Sequence, residues 1–395
     1  MSDEFTEFTS QSWGSRILSS LKGILFGIVL IPISIFLLFW NENRAVTTAK
    51  GLKEGAAAVV SIDAKSVVPA NDQKLVHLSE QVTGGDEVLK DPLFGVTAKG
   101  IRLTRSVDMY QWQEDKSSET RKKLGGGTET ATTYTYKQIW SDKLISSASF
   151  NPNHREEHKN PTALIAESLP IVAGNVRLGA FKLPSGVIAK MHGDEALAAT
   201  DEHLAKAAPD LRAKLKIAAG TFYVGADPAN PALGDQRVSF KVLAPAVWSV
   251  IARQNGDTIE PYQPKDGPAI ERVEAGKVSA ELMFKHAASE NAMLTWGLRF
   301  VGFVLMALGL GLIVSPLSVF ADVIPFLGDI IGVGVGLAAM LLAFVGSLIV
   351  IAIAWFAVRP LLTIALAVVA AAALVMAWRQ GHSRSQQTKP RIVSF

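Results

Sequence analysis

Apolar residues in this chain collect at its two ends. Residues 23–40 form one uncharged run near the start, and residues 296–378 carry only Arg299, Asp322, Asp329 and Arg359 as charged residues. The uncharged runs 300–321, 330–358 and 360–378 each reach the roughly 20 residues that one helical bilayer crossing needs. The pattern predicts transmembrane helices over residues 21–40, 296–318, 330–358 and 360–378, with 319–329 as a short connection. Residues 1–20 are a polar lead. The first run is longer than a signal-peptide core and no A-x-A site follows Trp40, so it is expected to stay as an anchor.

Residues 41–293 read differently. Ile101, Leu103, Val107 and Met109 alternate with Arg102, Thr104 and Asp108, the period-2 pattern of a half-buried strand. Its partner is expected at 132–140, where Tyr134 and Tyr136 alternate with threonines. The intervening 115–130, with Arg121-Lys122-Lys123 and Gly125-Gly126-Gly127, is expected to be a solvated hairpin tip. Further strands are expected at 56–62, 74–82 (closed by Gly84-Gly85-Asp86), 221–224 and 237–243, with strand-like pieces in 163–184 and short helical character at 43–53; 278–284 ends the domain. Asn255-Gly256-Asp257 marks a tight hairpin between 247–253 and 258–262. Residues 192–217 are expected to be the main soluble helix, split at Pro209. The fold class that emerges is membrane α-helical, four helices, plus a β-rich α+β extracytoplasmic domain inserted between the first and second.

Composition averages these two parts: 49% hydrophobic, 19% charged, mean hydropathy +0.25. A net charge of +3 is too small to imply a nucleic-acid partner. The absence of Cys excludes disulfides and thiol chemistry. Local charge is more telling. The tail 379–395 carries Arg379, Arg384, Lys389 and Arg391 and no acidic residue, which by the positive-inside bias makes it cytoplasmic. Counting crossings back predicts a periplasmic or lumenal large domain and a cytoplasmic amino terminus.

Candidate chemistry is thin. His154, Glu157 and His158 fit the H-x-x-E-H pattern of one metallopeptidase class, but Pro152 and Pro161 flank them and no third ligand stands out. A polar surface loop is the simpler expectation, and no cofactor is implied. Gly125–Gly127 lacks the Lys-Ser/Thr of a phosphate loop, and there is no G-x-S-x-G. The uncharged helix centres argue against a transport route. Arg299 and Arg359 lie at span ends, where snorkelling suffices. Asp322 and Asp329 are expected to be solvated at the interface. No enzyme is expected.

Small residues carry more. Gly328, Gly332 and Gly336 recur every fourth residue, and Ala307 and Gly311 repeat the interval in the preceding run. In lipid this spacing lets helix backbones approach, either inside one bundle or between copies.

Several short motifs stand out: Asn41-Glu42-Asn43-Arg44-Ala45-Val46, Met109-Tyr110-Gln111-Trp112, His158-Lys159-Asn160-Pro161, Val250-Ile251-Ala252-Arg253-Gln254 with Gly256-Asp257, and Ser279-Ala280-Glu281. Asn291, Met293 and Thr295-Trp296-Gly297-Leu298-Arg299 close the set. Together they resemble the LUMA (transmembrane protein 43) family. The resemblance implies four spans, a large domain after the first, and a non-enzymatic role as a self-associating organiser of other membrane proteins. Membrane lipid, further copies of the chain and other membrane proteins are the partners implied. The animal form sits in the inner nuclear membrane and endoplasmic reticulum. The alanine-rich, sequon-free sequence points to a bacterial relative in an inner membrane. No catalytic residue is implied; Asn41, Glu42, Arg44, His158, Asn160, Pro161, Trp296 and Arg299 are the motif positions to follow.

Overall fold

A computed structural model describes residues 3–84, 87–358 and 364. The expected fourth helix (360–378), the basic tail, Arg359 and the Gly85-Asp86 strand end lie outside the described residues. The chain forms two compact units. One comprises Met1–Ser10, Gly51–Arg121 and Thr128–Ala288; the other comprises Gln11–Lys50, Lys122–Gly127 and Ser289–Phe395.

The first unit is the β-rich one. Its larger sheet contains β1 (Asp3–Gln11), β4 (Arg102–Lys122), β5 (Thr128–Ser141) and β6 (Gln236–Leu243), in the order β1-β5-β4-β6, continued by Thr221–Val224 and Leu215–Ala218. The second sheet is built on β2 (Val60–Ser61), β3 (Leu75–Thr83) and β7 (Ala246–Asn255). β3 and β7 pair antiparallel from Leu75↔Arg253 to Val82↔Ala246. Alternation explains both sheets: Leu103, Val107 and Met109 are fully buried, as the period-2 pattern requires. Leu103 and Val107 belong with Val76, Leu78, Phe94, Phe222, Phe240 and Val250 to one apolar core.

Two expectations are corrected here. The helix expected at 192–217 is instead a strand Glu195–Leu197, short helices Asp201–Lys206 and Pro209–Arg212, and a strand Leu215–Ala218. Thr200 caps the first helix through a reciprocal box with His203, Pro209 restarts the chain, and Leu215 is buried on the sheet. The hairpin tip is also shorter than 115–130, because β4 runs to Lys122 and β5 starts at Thr128. Facing threonine and serine hydroxyls extend the ladder, with Thr120 and Thr130 oxygens 2.9 Å apart.

A third correction concerns the amino-terminal segment. Expected to be a polar lead, it supplies β1, the edge strand beside β5. Thr6 and Thr133 hydroxyls lie 3.0 Å apart, and Asp3 approaches His158 at 3.5 Å. This segment is therefore part of the β-rich unit.

The second unit is helical. α1 spans Trp13–Ala58, α2 spans Ala280–Ala321 and α3 spans Pro325–Val358. These are three helices long and apolar enough to cross a membrane. The runs 21–40 and 43–53 thus belong to one continuous helix, with Pro32 inside it. The expected connection 319–329 shrinks to residues 322–324. Leu38, Met306 and Ala343, one from each helix, form the bundle core with Phe303, Ala307 and Leu310 around them. Closest approach is at Gly27, where a Cβ would come within 2.5 Å of the Gly309 carbonyl oxygen.

Candidate functional site

One polar cluster in the helical unit gathers most of the motif positions. On α2, Asn291, Thr295 and Arg299 recur every fourth residue and so share a face. Asn41, Glu42 and Arg44 come from α1, and Trp355 from α3. Glu42 is 2% exposed. Arg299 meets it with a two-pronged pair, Nε to Oε1 at 2.6 Å and Nη2 to Oε2 at 2.9 Å. The Trp355 indole donates to the same Oε2 at 2.7 Å, and the guanidinium lies 4.7 Å from the Trp296 ring centre. Asn41 donates to the Thr295 carbonyl at 3.0 Å. Arg44 donates to Thr295 Oγ1 at 3.0 Å and Asn291 Oδ1 at 3.1 Å. A charge beside an apolar bundle is tolerable when paired and hydrogen-bonded. Glu42 and Arg299 meet this condition, while Arg44 Nε is buried without a hydrogen-bond partner. The cluster's chemical capacity is to clasp three helices. Beside it, Trp296, Phe300, Phe303, Phe344, Leu348 and Ile351 line an apolar groove of about 320 Å³.

A second cluster surrounds Asp322. The sequence leads one to expect a solvated carboxylate, but Asp322 is 1% exposed. Arg16 pairs with Oδ2, and Lys122 lies 2.6 Å from Oδ1 while reaching Asp329 at 2.8 Å. Burial pushes the Asp322 carboxyl up, but hydrogen bonds and charge from Lys122 and Arg16 outweigh it and hold the group below the usual carboxylate range. The tip is seated here as well. Trp13 donates to the Val319 carbonyl at 2.9 Å, and Arg16 donates to that of Gly126. Gly126 has φ +80°, and a Cβ on it would strike the Trp13 ring, so glycine is required on both counts. The tip and the turn between α2 and α3 are therefore in contact, with the Gly125 amide 3.3 Å from the Val323 carbonyl oxygen.

The remaining motif positions serve the β-rich unit. Asn160 accepts from the Trp112 amide at 2.7 Å and donates to the Trp112 and Ile145 carbonyls. His158 is 2% exposed, stacks on Tyr136 at 3.8 Å and bonds through Nδ1 to the His154 carbonyl. Pro161, half-buried, follows in the chain. His154 instead faces Phe5, at 4.2 Å, and Glu157, at 3.4 Å. The H-x-x-E-H residues form turns and do not converge. Among the described residues no group of three His, Asp or Glu is placed to hold a metal ion.

The small residues divide. Ala307 packs in the bundle core, and Gly328 sits against Asp322. A Cβ on Gly311 or Gly336 would meet nothing within 4 Å, and one on Gly332 would make only an ordinary contact with Ser318. The glycines that bring helices together are Gly27, Gly302 and Gly309, which sequence reasoning passed over. Trp355 was missed too, although an indole N–H in an apolar run needs an acceptor.

Comparison with known proteins adds the following. Residues 109–360 match the family model described as "Transmembrane protein 43". The chain is 35% identical over 359 residues to "Transmembrane protein 43" of Mus musculus, covering 88% of this chain and 87% of that one. It is 34% identical over 374 residues to the Homo sapiens protein of that name, covering 92% and 91%. It is 29% identical over 355 residues to "Transmembrane protein 43 homolog" of Drosophila melanogaster, covering 86% and 89%. No solved structure matches.

Proposed function

The chain belongs to the transmembrane protein 43 family, and on that premise we propose that it is a multi-pass membrane organiser that self-associates and holds other membrane proteins through contacts. The observation that carries this is the face of α3 around Gly332 and Gly336. It offers small residues to a neighbouring backbone and is flanked by the exposed Ile331, Val333 and Leu337. In lipid, association is driven by such close packing more than by apolarity.

The clasp supports the same reading. Glu42 and Arg299 neutralise each other and lock three helices, which suits a rigid platform. The basic tail supports a cytoplasmic carboxy terminus, and three apolar runs between tail and domain support an extracytoplasmic domain. The sequence supports a bacterial inner membrane as its place.

The test is particle mass in mild detergent. The proposal predicts a defined multimer, converted to a folded smaller species by Gly336→Leu. A strictly monomeric parent would refute it, as would ligand-driven flux through liposomes carrying the protein.

A further inference from the structure

In the β-rich unit, β2 runs parallel to β3 with Ser61 opposite His77, so both side chains share one face of the sheet. Two hydrogen bonds fix the imidazole. Its Nε2 is 2.8 Å from the Val278 carbonyl oxygen. A carbonyl only accepts, so Nε2 carries the proton and Nδ1 is left as the lone pair of the neutral ring. The Ser61 hydroxyl, 3.2 Å away, donates to that Nδ1.

The orienting carbonyl is itself held. Ser249, fully buried, accepts from the Val278 amide at 2.8 Å and contacts the Ser79 hydroxyl at 3.0 Å and the Gly276 carbonyl at 2.8 Å. His77 is 8% exposed. Burial lowers its pKa from the ordinary 6.5, with the Val278 carbonyl acting in the opposite sense. The ring is thus a neutral base at neutral pH.

Ser61 and His77 open onto a cavity of about 560 Å³, also lined by Ser79, Lys277, Ser279 and Ala280. The last of these starts α2. Ser279 Oγ caps the Leu282 amide at 3.3 Å. The amides ahead of it, like the first of any helix, have no intrahelical acceptor and present partial positive charge. Lys277 adds a full one. Nucleophile, base, orienting acceptor and a positive wall therefore meet in one cavity.

We infer that Ser61 and His77 are the nucleophile and general base of an acyl-transfer site for small carboxylic esters, with the α2 start and Lys277 receiving the oxyanion. Ser61 Oγ bonds to the ester carbonyl carbon as its proton passes to His77 Nδ1. The carbon–alkoxy bond then breaks, and the leaving alkoxide takes that proton as an alcohol. Water, deprotonated by His77, adds to the acyl-serine; collapse releases the carboxylic acid and returns the proton to Ser61. This activity goes beyond the organiser role and amends the expectation that the chain has no chemistry.

The test uses the full chain in detergent and a fluorophosphonate probe. A phosphonyl adduct is expected on Ser61 by peptide mass spectrometry. It should be absent in Ser61→Ala and form roughly 100-fold more slowly in His77→Gln, the scale of general-base catalysis. The rate should rise with pH and level off by about pH 7, following a lowered imidazole pKa. No adduct at Ser61, or a rate unchanged in a His77→Gln protein that still melts cooperatively, would overturn the assignment. Should His77→Gln fail to fold, the exposed-site variant Ser61→Cys decides. Its alkylation by iodoacetamide should titrate well below the ordinary thiol value of about 8.5, and an ordinary profile would overturn it.

Discussion

Glu42 and Asp322 are both carboxylates with almost no exposed surface, 2% and 1%, and both sit among long apolar helices. Their partners differ in kind. Glu42 is met by one guanidinium and one indole, with Arg299 only 16% exposed. Asp322 is met by Arg16 and Lys122, and Lys122 is shared with Asp329, which is 67% exposed. The first cluster borders an apolar groove; the second opens outward through Lys122 and Asp329. Desolvation sets the difference. A closed pair loses everything when one member is removed, whereas an open network re-solvates what remains.

The largest effect is therefore expected at the clasp. Glu42→Ala should cost about 3–5 kcal/mol, the range for stranding a buried partner, read as a lower unfolding temperature in detergent. Asp322→Ala should cost less, about 2 kcal/mol, because Lys122, 28% exposed, keeps the exposed Asp329 as a partner and only Arg16 is stranded. Lys122→Ala should cost under about 1 kcal/mol. Raising salt should narrow the gap between parent and Lys122→Ala and leave that between parent and Glu42→Ala unchanged, since screening reaches only the open cluster.

Acid separates them further. The Asp322 carboxyl is held below its ordinary 3.8, so its contribution is present above that pH and is lost as pH falls through the lowered value. His77 acts at higher pH. With its folded pKa below 6.5, the unfolded chain binds the proton first, so stability should fall as pH drops from about 6.5 toward the lowered value. Unfolding of Asp322→Ala and His77→Gln against pH would assign the two steps.

How far the sequence alone carries can be judged from these same residues. Apolar runs disclosed the three described helices, and alternation disclosed β4, because burial writes its period directly into the chain. The clasp was half legible: Asn41, Glu42, Arg44, Trp296 and Arg299 stood out as motif positions, but nothing one-dimensional joins them to each other or to Trp355. The Asp322 cluster was not legible. Its partners Arg16 and Lys122 lie 306 and 200 residues away, and counting crossings treats such residues as independent. For the same reason β1 reads as a polar lead in the sequence. Ser61 and His77 meet only through strand pairing, so no spacing rule finds them.

The contact between the tip and the α2–α3 turn can be tested by crosslinking. The chain has no Cys, and Leu124 is 90% exposed. Leu124→Cys combined with Val323→Cys should form a disulfide under mild oxidation. Failure to crosslink would break the Asp322 cluster.

Self-association is tested most directly by oxidative crosslinking in native membranes, again using the Cys-free background. Gly336→Cys lies on the open face of α3, and Ala343→Cys on the face buried against Leu38 and Met306. The account predicts a disulfide-linked dimer for Gly336→Cys and none for Ala343→Cys. Monomer from both, or equal dimer from both, would contradict it.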